Sequence, residues 1–338
     1  MNSTNADSAV AETAPADAAA TGSRWAVSGS LVTRFNLLLI FIALCIAASV
    51  LSPVFLTSQN ISNLLQQSSV VGITAIGMTF VILVAGIDLS VGSVAALAGM
   101  SVALLIEGGV PWYLAIVISL SIGAVLGSVM GGLSAYLTLP AFMVTLAGLQ
   151  SVRGLTYLTT DGTPTDGNLP EAFTWLGTGK IGPLPVTGLI FIAITIIAAV
   201  VLRRTVYGEY IYATGSNPTA ARLSGVPTKL ITLSVFAISG VLASLAGVLL
   251  TARLTIGQPT AASGLELDAI AAVVLGGTSL FGGKGGVSGT FLAVLLLAVL
   301  RNLFNLLGLG SYFQMVVTGL VLVVALVLNY LLERRSRA

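Results

Sequence analysis

A chain of 338 residues with 56% hydrophobic and only 8% charged side chains, and a mean hydropathy of +1.03, cannot clothe a water-soluble domain of its size in polar groups. Lipid must cover much of the exterior, and the 38 glycines suit helices whose backbones approach closely in a bilayer. There is no His and a single cysteine, Cys45 in an apolar run, so an internal disulfide is excluded, the commonest general base is missing, and neither metal nor cofactor is expected.

Residues 1–30 are rich in Ala, Ser and Thr, carry Asp7, Glu12 and Asp17 before the first Arg, and lack the apolar centre of a signal peptide. They are expected to form a disordered cytosolic tail. Residues 31–338 form the membrane domain, with roughly ten stretches near the ~20 apolar residues that a spanning helix needs. The first four expected spans are Phe35 to Leu51, Ser68 to Ala85, Leu89 to Ile106 and Trp112 to Leu137. Polar residues Asn60, Asn63, Gln66 and Gln67 precede the second, and Gly86-Ile87-Asp88 separates it from the third. The fifth, Phe142 to Leu158, leads into a loop rich in Gly, Pro and Asp from Asp161 to Pro185, with Trp175 as an interfacial anchor. The sixth, Val186 to Leu202, is followed by a polar cytosolic segment over 203–229. The last four are Leu230 to Leu250, Leu267 to Leu280, Thr290 to Leu307 and Phe313 to Leu332; the short third and eighth are candidates for broken or re-entrant segments.

The net charge of +2 gives no reason to expect a nucleic-acid partner, but the distribution of charge is informative. With a cytosolic N-terminus, Arg24, Arg34, Arg203, Arg204, Arg222, Lys229, Lys284, Arg334, Arg335 and Arg337 share one side. The opposite side holds Glu107, Asp161, Asp166, Glu171 and Glu266, with Lys180 its clear cation. The positive-inside rule then predicts an all-α, polytopic protein with both termini in the cytosol.

Four segments carry finer signals. Gly123, Gly127 and Gly131 lie on one face of the fourth span and invite close packing by another helix. The run GGTSLFGGKGGVSG at 276–289 lacks the glycine and hydroxyl positions of a phosphate-binding P-loop and is expected to be a tight turn. In TGSNPTAARLSG (214–225), Asn217 is placed to cap a helix that opens with Pro218 and ends at Gly225, with Arg222 near its C-terminal dipole. At about two turns this helix is too short to stand alone, so it either packs on its own protein or docks in a partner. Ser263 and Glu266 have capping-box spacing ahead of the eighth span.

Ionisable groups at membrane depth are candidate site residues: Asp88 with its neighbour Ser90, Arg153, Asp268 and Arg301. Mutual pairing, or reach to an interface, stands beside a place on a solute path for each. Gln150, Asn302, Asn305 and Gln314 add uncharged groups suited to a hydroxylated ligand.

Four blocks together, GMTFVILVAGIDLSVGS (77–93), LPAFMVTLAGLQSVRGL (139–155), ATGSNPTAARLSGV (213–226) and QPTAASGLELDAIAAVVLGGTSLFGGKG (258–285), resemble the permease subunits of ribose-type ATP-binding cassette (ABC) sugar importers. The resemblance runs through most of the chain after about residue 35. It implies a paired permease, normally a homodimer, driven by separate ATPase subunits on the cytosolic face and fed by an extracytoplasmic sugar-binding protein. It also implies that the short cytosolic helix docks in the ATPase. That loop in the wider group has Glu-Ala-Ala, three further residues and Gly; here Thr219, Ala220, Ala221 and Gly225 match, with Thr219 in place of the acid. Candidate coupling residues are thus Asn217, Thr219, Ala220, Ala221, Arg222 and Gly225; candidate path residues are Asp88, Ser90, Gln150, Arg153, Asp268, Asn302 and Gln314. A nucleoside or branched-chain amino acid is the alternative cargo. An ion-coupled secondary transporter, with Asp88 or Asp268 as its ion site, is the rival mechanism. A membrane-embedded enzyme has no paired acid motif or His to support it.

Overall fold

The structure is a computed structural model that describes residues 22–310 and, beyond them, helical residues scattered between 312 and 327. The expected tail up to residue 21, and most of the tenth span, lie outside the described residues. The first helix, α1 (Gly22–Leu51), begins inside the stretch expected to be tail. α2 (Ser58–Leu83), α3 (Val91–Glu107), α4 (Trp112–Tyr136) and α5 (Ala141–Leu158) follow. The loop beyond α5 carries α6 (Glu171–Thr178) and an antiparallel hairpin of β1 (Lys180–Ile181) and β2 (Leu184–Pro185), the one departure from helix and turn among the described residues. α7 (Val186–Arg204), α8 (Val206–Ser216), α9 (Pro218–Leu223), α10 (Thr228–Leu254), α11 (Leu265–Leu275) and α12 (Val287–Leu306) complete it.

Five of these, α2, α4, α7, α10 and α12, are long and apolar enough to cross a membrane. α2 is the inner one: 78% of its most apolar stretch is buried, against 33% for α4 and for α7. Ile73, Ile76, Met78 and Ile82 of α2 pack with Phe191 of α7 and Phe236 of α10 in the largest apolar cluster. Leu39 and Val50 of α1, Val125 of α4 and Ile197 of α7 face outward, an apolar exterior that only lipid can solvate.

α10 packs most extensively against α4, α3 and α2, and glycine sets how closely. Along the antiparallel α4–α10 pair, Gly123 meets Gly240, Gly127 meets the Phe236 carbonyl, and Gly131 meets Leu233. A Cβ on Gly131 would stand 2.7 Å from Phe236 Cβ and 3.0 Å from Leu233 Cα. The three glycines expected to form one packing face thus do so. α3 runs parallel to α10, with Gly99 beside Gly247 and Thr251.

Several expected boundaries move. α2 starts ten residues earlier than the expected Ser68, because its polar first turns find partners inside the protein. Thr57 caps it, Asn60 and Asn302 of α12 exchange amide hydrogen bonds at 2.9 and 2.8 Å, and Gln66 donates to the Gly177 carbonyl. α11 has 11 residues, roughly 16 Å of helix, against a hydrocarbon thickness of ~30 Å, so the expected eighth span is a partial one. The Ser263 half of the capping box does not form: its Oγ donates to the Thr260 carbonyl at 2.7 Å, and Gly264, at φ +80°, caps α11. The Glu266 carboxylate reaches back to the Gly264 N–H as expected. α8 was not anticipated within the polar segment. The 276–286 turn is as expected, with Gly277, Gly282, Gly283 and Gly285 at positive φ and Gly283 N–H donating to the Leu83 carbonyl at 2.9 Å.

The α4–α10 contact has a direct test. Replacing Gly240 by Val should force the two backbones apart and destabilise the protein by about 1–3 kcal/mol or more. Gly132→Val, on α4 where an added Cβ would stand 3.9 Å from Leu233 of α10, should be tolerated. Thermal midpoints of the two variants in detergent compare them; equal midpoints would remove glycine packing as the determinant.

Candidate functional site

The short helix is built as its sequence dictates. Asn217 Oδ1 accepts from the backbone N–H groups of Thr219 and Ala220 at 3.1 and 3.0 Å, and Pro218 fills the first turn. Gly225, at φ +86°, turns the chain away, and Val226 N–H donates back to the Ala221 carbonyl at 3.0 Å. α8 supplies the support that six residues lack: Tyr207 pairs with Ser234 of α10 at 2.7 Å, and Tyr212 donates to the Gly285 carbonyl at 3.0 Å.

The small residues of α9 divide. Ala221 is 6% exposed and packs into the protein's own core, so it anchors the helix and does not face outward. Thr219, Ala220, Arg222 and Leu223 are exposed, Leu223 at 86%. Leu223 is a candidate that sequence reasoning missed, although an apolar side chain two residues before Gly225 in a polar segment was a visible signal.

Asp88 lies in the turn between α2 and α3, 1% exposed. One carboxylate oxygen accepts from the Ser90 N–H and hydroxyl at 3.0 and 2.6 Å, the other from the Ser239 hydroxyl near the middle of α10 at 2.9 Å. Thr145 of α5 donates to the Ile87 carbonyl of the same turn at 2.9 Å. Asp88 and Ser90 therefore tie the α2–α3 turn to α10 and α5.

After α10 the chain doubles back. Gly257 lies beside Ala103 near the end of α3, whereas Ala262 and Glu266 lie against Gly92 at its start. The 255–264 segment thus descends along eleven residues of α3, roughly 16 Å, before α11 begins. Arg153 Nη1 of α5 donates to the carbonyls of Pro259 and Ala261 at 3.0 and 2.9 Å, satisfying backbone groups that the irregular segment would leave open. Gln150, one turn earlier on α5, is exposed.

Asp268 and Asn302 come together at a cavity of about 280 Å³ between α2, α10, α11 and α12. Asp268 pairs there with Arg301, and Gln67, Ser68 and Arg253 complete the polar wall. Arg253 and Gln67 were not singled out from sequence, because each sits where a span seemed merely to begin or end. Gln314 lies elsewhere, donating to Asn305 Oδ1 at 2.7 Å. Among the described residues no cluster of three or more His, Cys, Asp or Glu is arranged to hold a metal.

A bundle of apolar helices around a glycine-packed centre, interrupted by an irregular segment and bearing a short propped helix, accords with a membrane transport protein. Residues 60–326 match the family described as branched-chain amino acid transport system / permease component, and the chain belongs to that family. Among individual proteins it is similar to the ribose import permease protein RbsC of Haemophilus influenzae, 46% identical over 86% of this chain and 92% of that one. The proteins of that name from Escherichia coli K12 and Bacillus subtilis are 43% and 44% identical, covering 91% and 85% of this chain and 97% and 89% of theirs. No solved structure matches.

The Asp88 geometry predicts a stability phenotype. Asp88→Asn puts an N–H donor where the carboxylate accepted from Ser239 and removes the charge that strengthens all three bonds, a loss of about 1–3 kcal/mol. The thermal midpoint in detergent should fall while membrane insertion persists. Lost transport at an unchanged midpoint would instead place Asp88 on the solute path.

Proposed function

We propose that this chain is the membrane-spanning permease subunit of an ABC importer that moves a monosaccharide, ribose or a similar sugar, across the bacterial cytoplasmic membrane. The observation that carries the reading is similarity at 43–46% identity along nearly the whole length of proteins named as ribose import permeases. The apolar exterior of α1, α4 and α7 accords with a multi-pass protein of that membrane. ATP hydrolysis belongs to separate ATPase subunits, and a sugar-binding protein delivers cargo from outside.

Two copies of the chain pair around one path. Both termini lie in the cytosol. The exposed face of α5 bearing Gln150, beside the segment held by Arg153, lines the path, because these are polar groups set at the depth of the spans. Asp88 and Ser90 hold the α2–α3 turn that backs it. An ion-coupled mechanism gains little from the carboxylates: Asp88 is saturated with protein donors and Asp268 is paired with Arg301.

Energy enters through α9. Its outward residues Thr219, Ala220, Arg222 and Leu223 dock in a cleft of the ATPase, with Asn217 and Gly225 fixing the helix ends and Ala221 its seat. Leu223→Asp and Ala220→Trp should leave insertion and the thermal midpoint unchanged but abolish co-purification with the ATPase and sugar-stimulated ATP hydrolysis. Gly225→Val, forced into a left-handed conformation that costs at least about 1 kcal/mol, should weaken assembly through misplacement of α9. Normal assembly and hydrolysis by all three would mean that α9 is only a connector.

The orientation has its own measurement. Single cysteines at Asp166 and Ser216, both exposed, in a Cys45→Ser background should react oppositely with an impermeant thiol reagent added to whole cells. Position 166 should label and position 216 should not; the reverse pattern would invert the topology.

A further inference from the structure

The cavity between α2, α10, α11 and α12 holds an imbalance of charge that import of a neutral sugar does not use. Arg253, Arg301 and Asp268 all line it, so two guanidiniums face one carboxylate. Asp268 and Arg301 satisfy each other. Arg253, in the last turn of α10 and half-buried, has no hydrogen-bond or ion-pair partner among the described residues. A guanidinium withdrawn from bulk water and left uncompensated draws an anion.

The donors available are specific. Arg253 keeps its N–H fork free, Arg301 presents the N–H groups that Asp268 does not take, and Gln67 stands exposed at the rim. Guanidinium groups from two helices lining one cavity suit a tetrahedral oxyanion, which accepts from several directions at once. A cavity of about 280 Å³ has room for more than a bare monoatomic ion. Leu250, Val294 and Leu297 supply an apolar floor on which an organic stem can rest.

We propose that this cavity binds one phosphate group, with Arg253 as its principal cation and Arg301 and Gln67 as further donors. The phosphate comes either from a phospholipid headgroup at the outer end of the bundle or from free inorganic phosphate. The site lies within a single protomer, and it stands whether or not the chain imports a sugar.

The test uses the full-length protein purified in detergent and phosphate-free buffer, with Arg253→Gln and Gln67→Glu as variants. Native mass spectrometry reads phospholipid retained after delipidation, and tryptophan fluorescence follows thermal unfolding during titration with inorganic phosphate. Lipid retention by the parent, at least tenfold weaker in both variants, supports a headgroup phosphate. A phosphate-dependent rise in the parent's midpoint, at least tenfold less sensitive to phosphate in both variants, supports the free ion. Should Arg253→Gln fail to fold, Gln67→Glu decides, since its rim carboxylate repels the anion while the cavity wall stays in place. Binding of neither probe by the parent, or equal binding by parent and Gln67→Glu, overturns the proposal.

Discussion

The structure depends on how closely α10 approaches its neighbours. Where Gly123 meets Gly240 and Gly99 meets Gly247, backbone touches backbone, leaving no side-chain layer between helices. In lipid no hydrophobic force draws one apolar helix to another, so contact area and short-range dispersion must do that work. Close contact with both helices along α10 fixes the depth of α3 and α4 relative to it. The α2–α3 turn is thereby held level with Ser239, where Asp88 is met by a hydroxyl.

That fixed frame is what lets irregular backbone lie among the helices. The 255–264 segment runs back along α3 only because Gly92 leaves room for Ala262 and Glu266, and because Arg153 reaches two of its carbonyls. The same logic holds at the other end. The Gly-rich turn at 276–286 lies against the end of α2 and the α8 backbone, with Gly283 bonded to Leu83 and Gly215 pressed on the Leu83 carbonyl. The turn, α8 and α9 form one continuous support that packs on the end of α2 and leads into α12.

Much of this was legible in the sequence. Cap and stop residues are local, and Asn217, Pro218 and Gly225 give the same answer in isolation as in the fold. The glycine spacing in α4 showed a packing face but not the identity of its neighbour, which is a tertiary fact. Polar residues misled where distant partners satisfied them: Asn60 and Gln66 looked like a loop until Asn302 and Gly177 stood opposite. Ser263 and Glu266 had the right spacing for a capping box, yet Gly264 took a left-handed conformation and Ser263 closed its own turn. The burial of Ala221 and exposure of Leu223 depend on how α9 is rolled against α10, which six residues do not encode. Similarity to whole relatives supplied what physics left open, the transport class.

The ion pair between α11 and α12 also constrains how the chain enters the membrane. Asp268 and Arg301 are separated by 33 residues, so the carboxylate leaves the ribosome well before its partner. An unpaired carboxylate on a helix entering lipid is opposed by up to about 2.5–3.5 kcal/mol at full depth and by less towards an interface. α11 is too short to offset much of that with apolar length. α11 therefore cannot partition into lipid as an independent segment. Its entry is favoured once α12 has been synthesised, because Arg301 then pairs with Asp268.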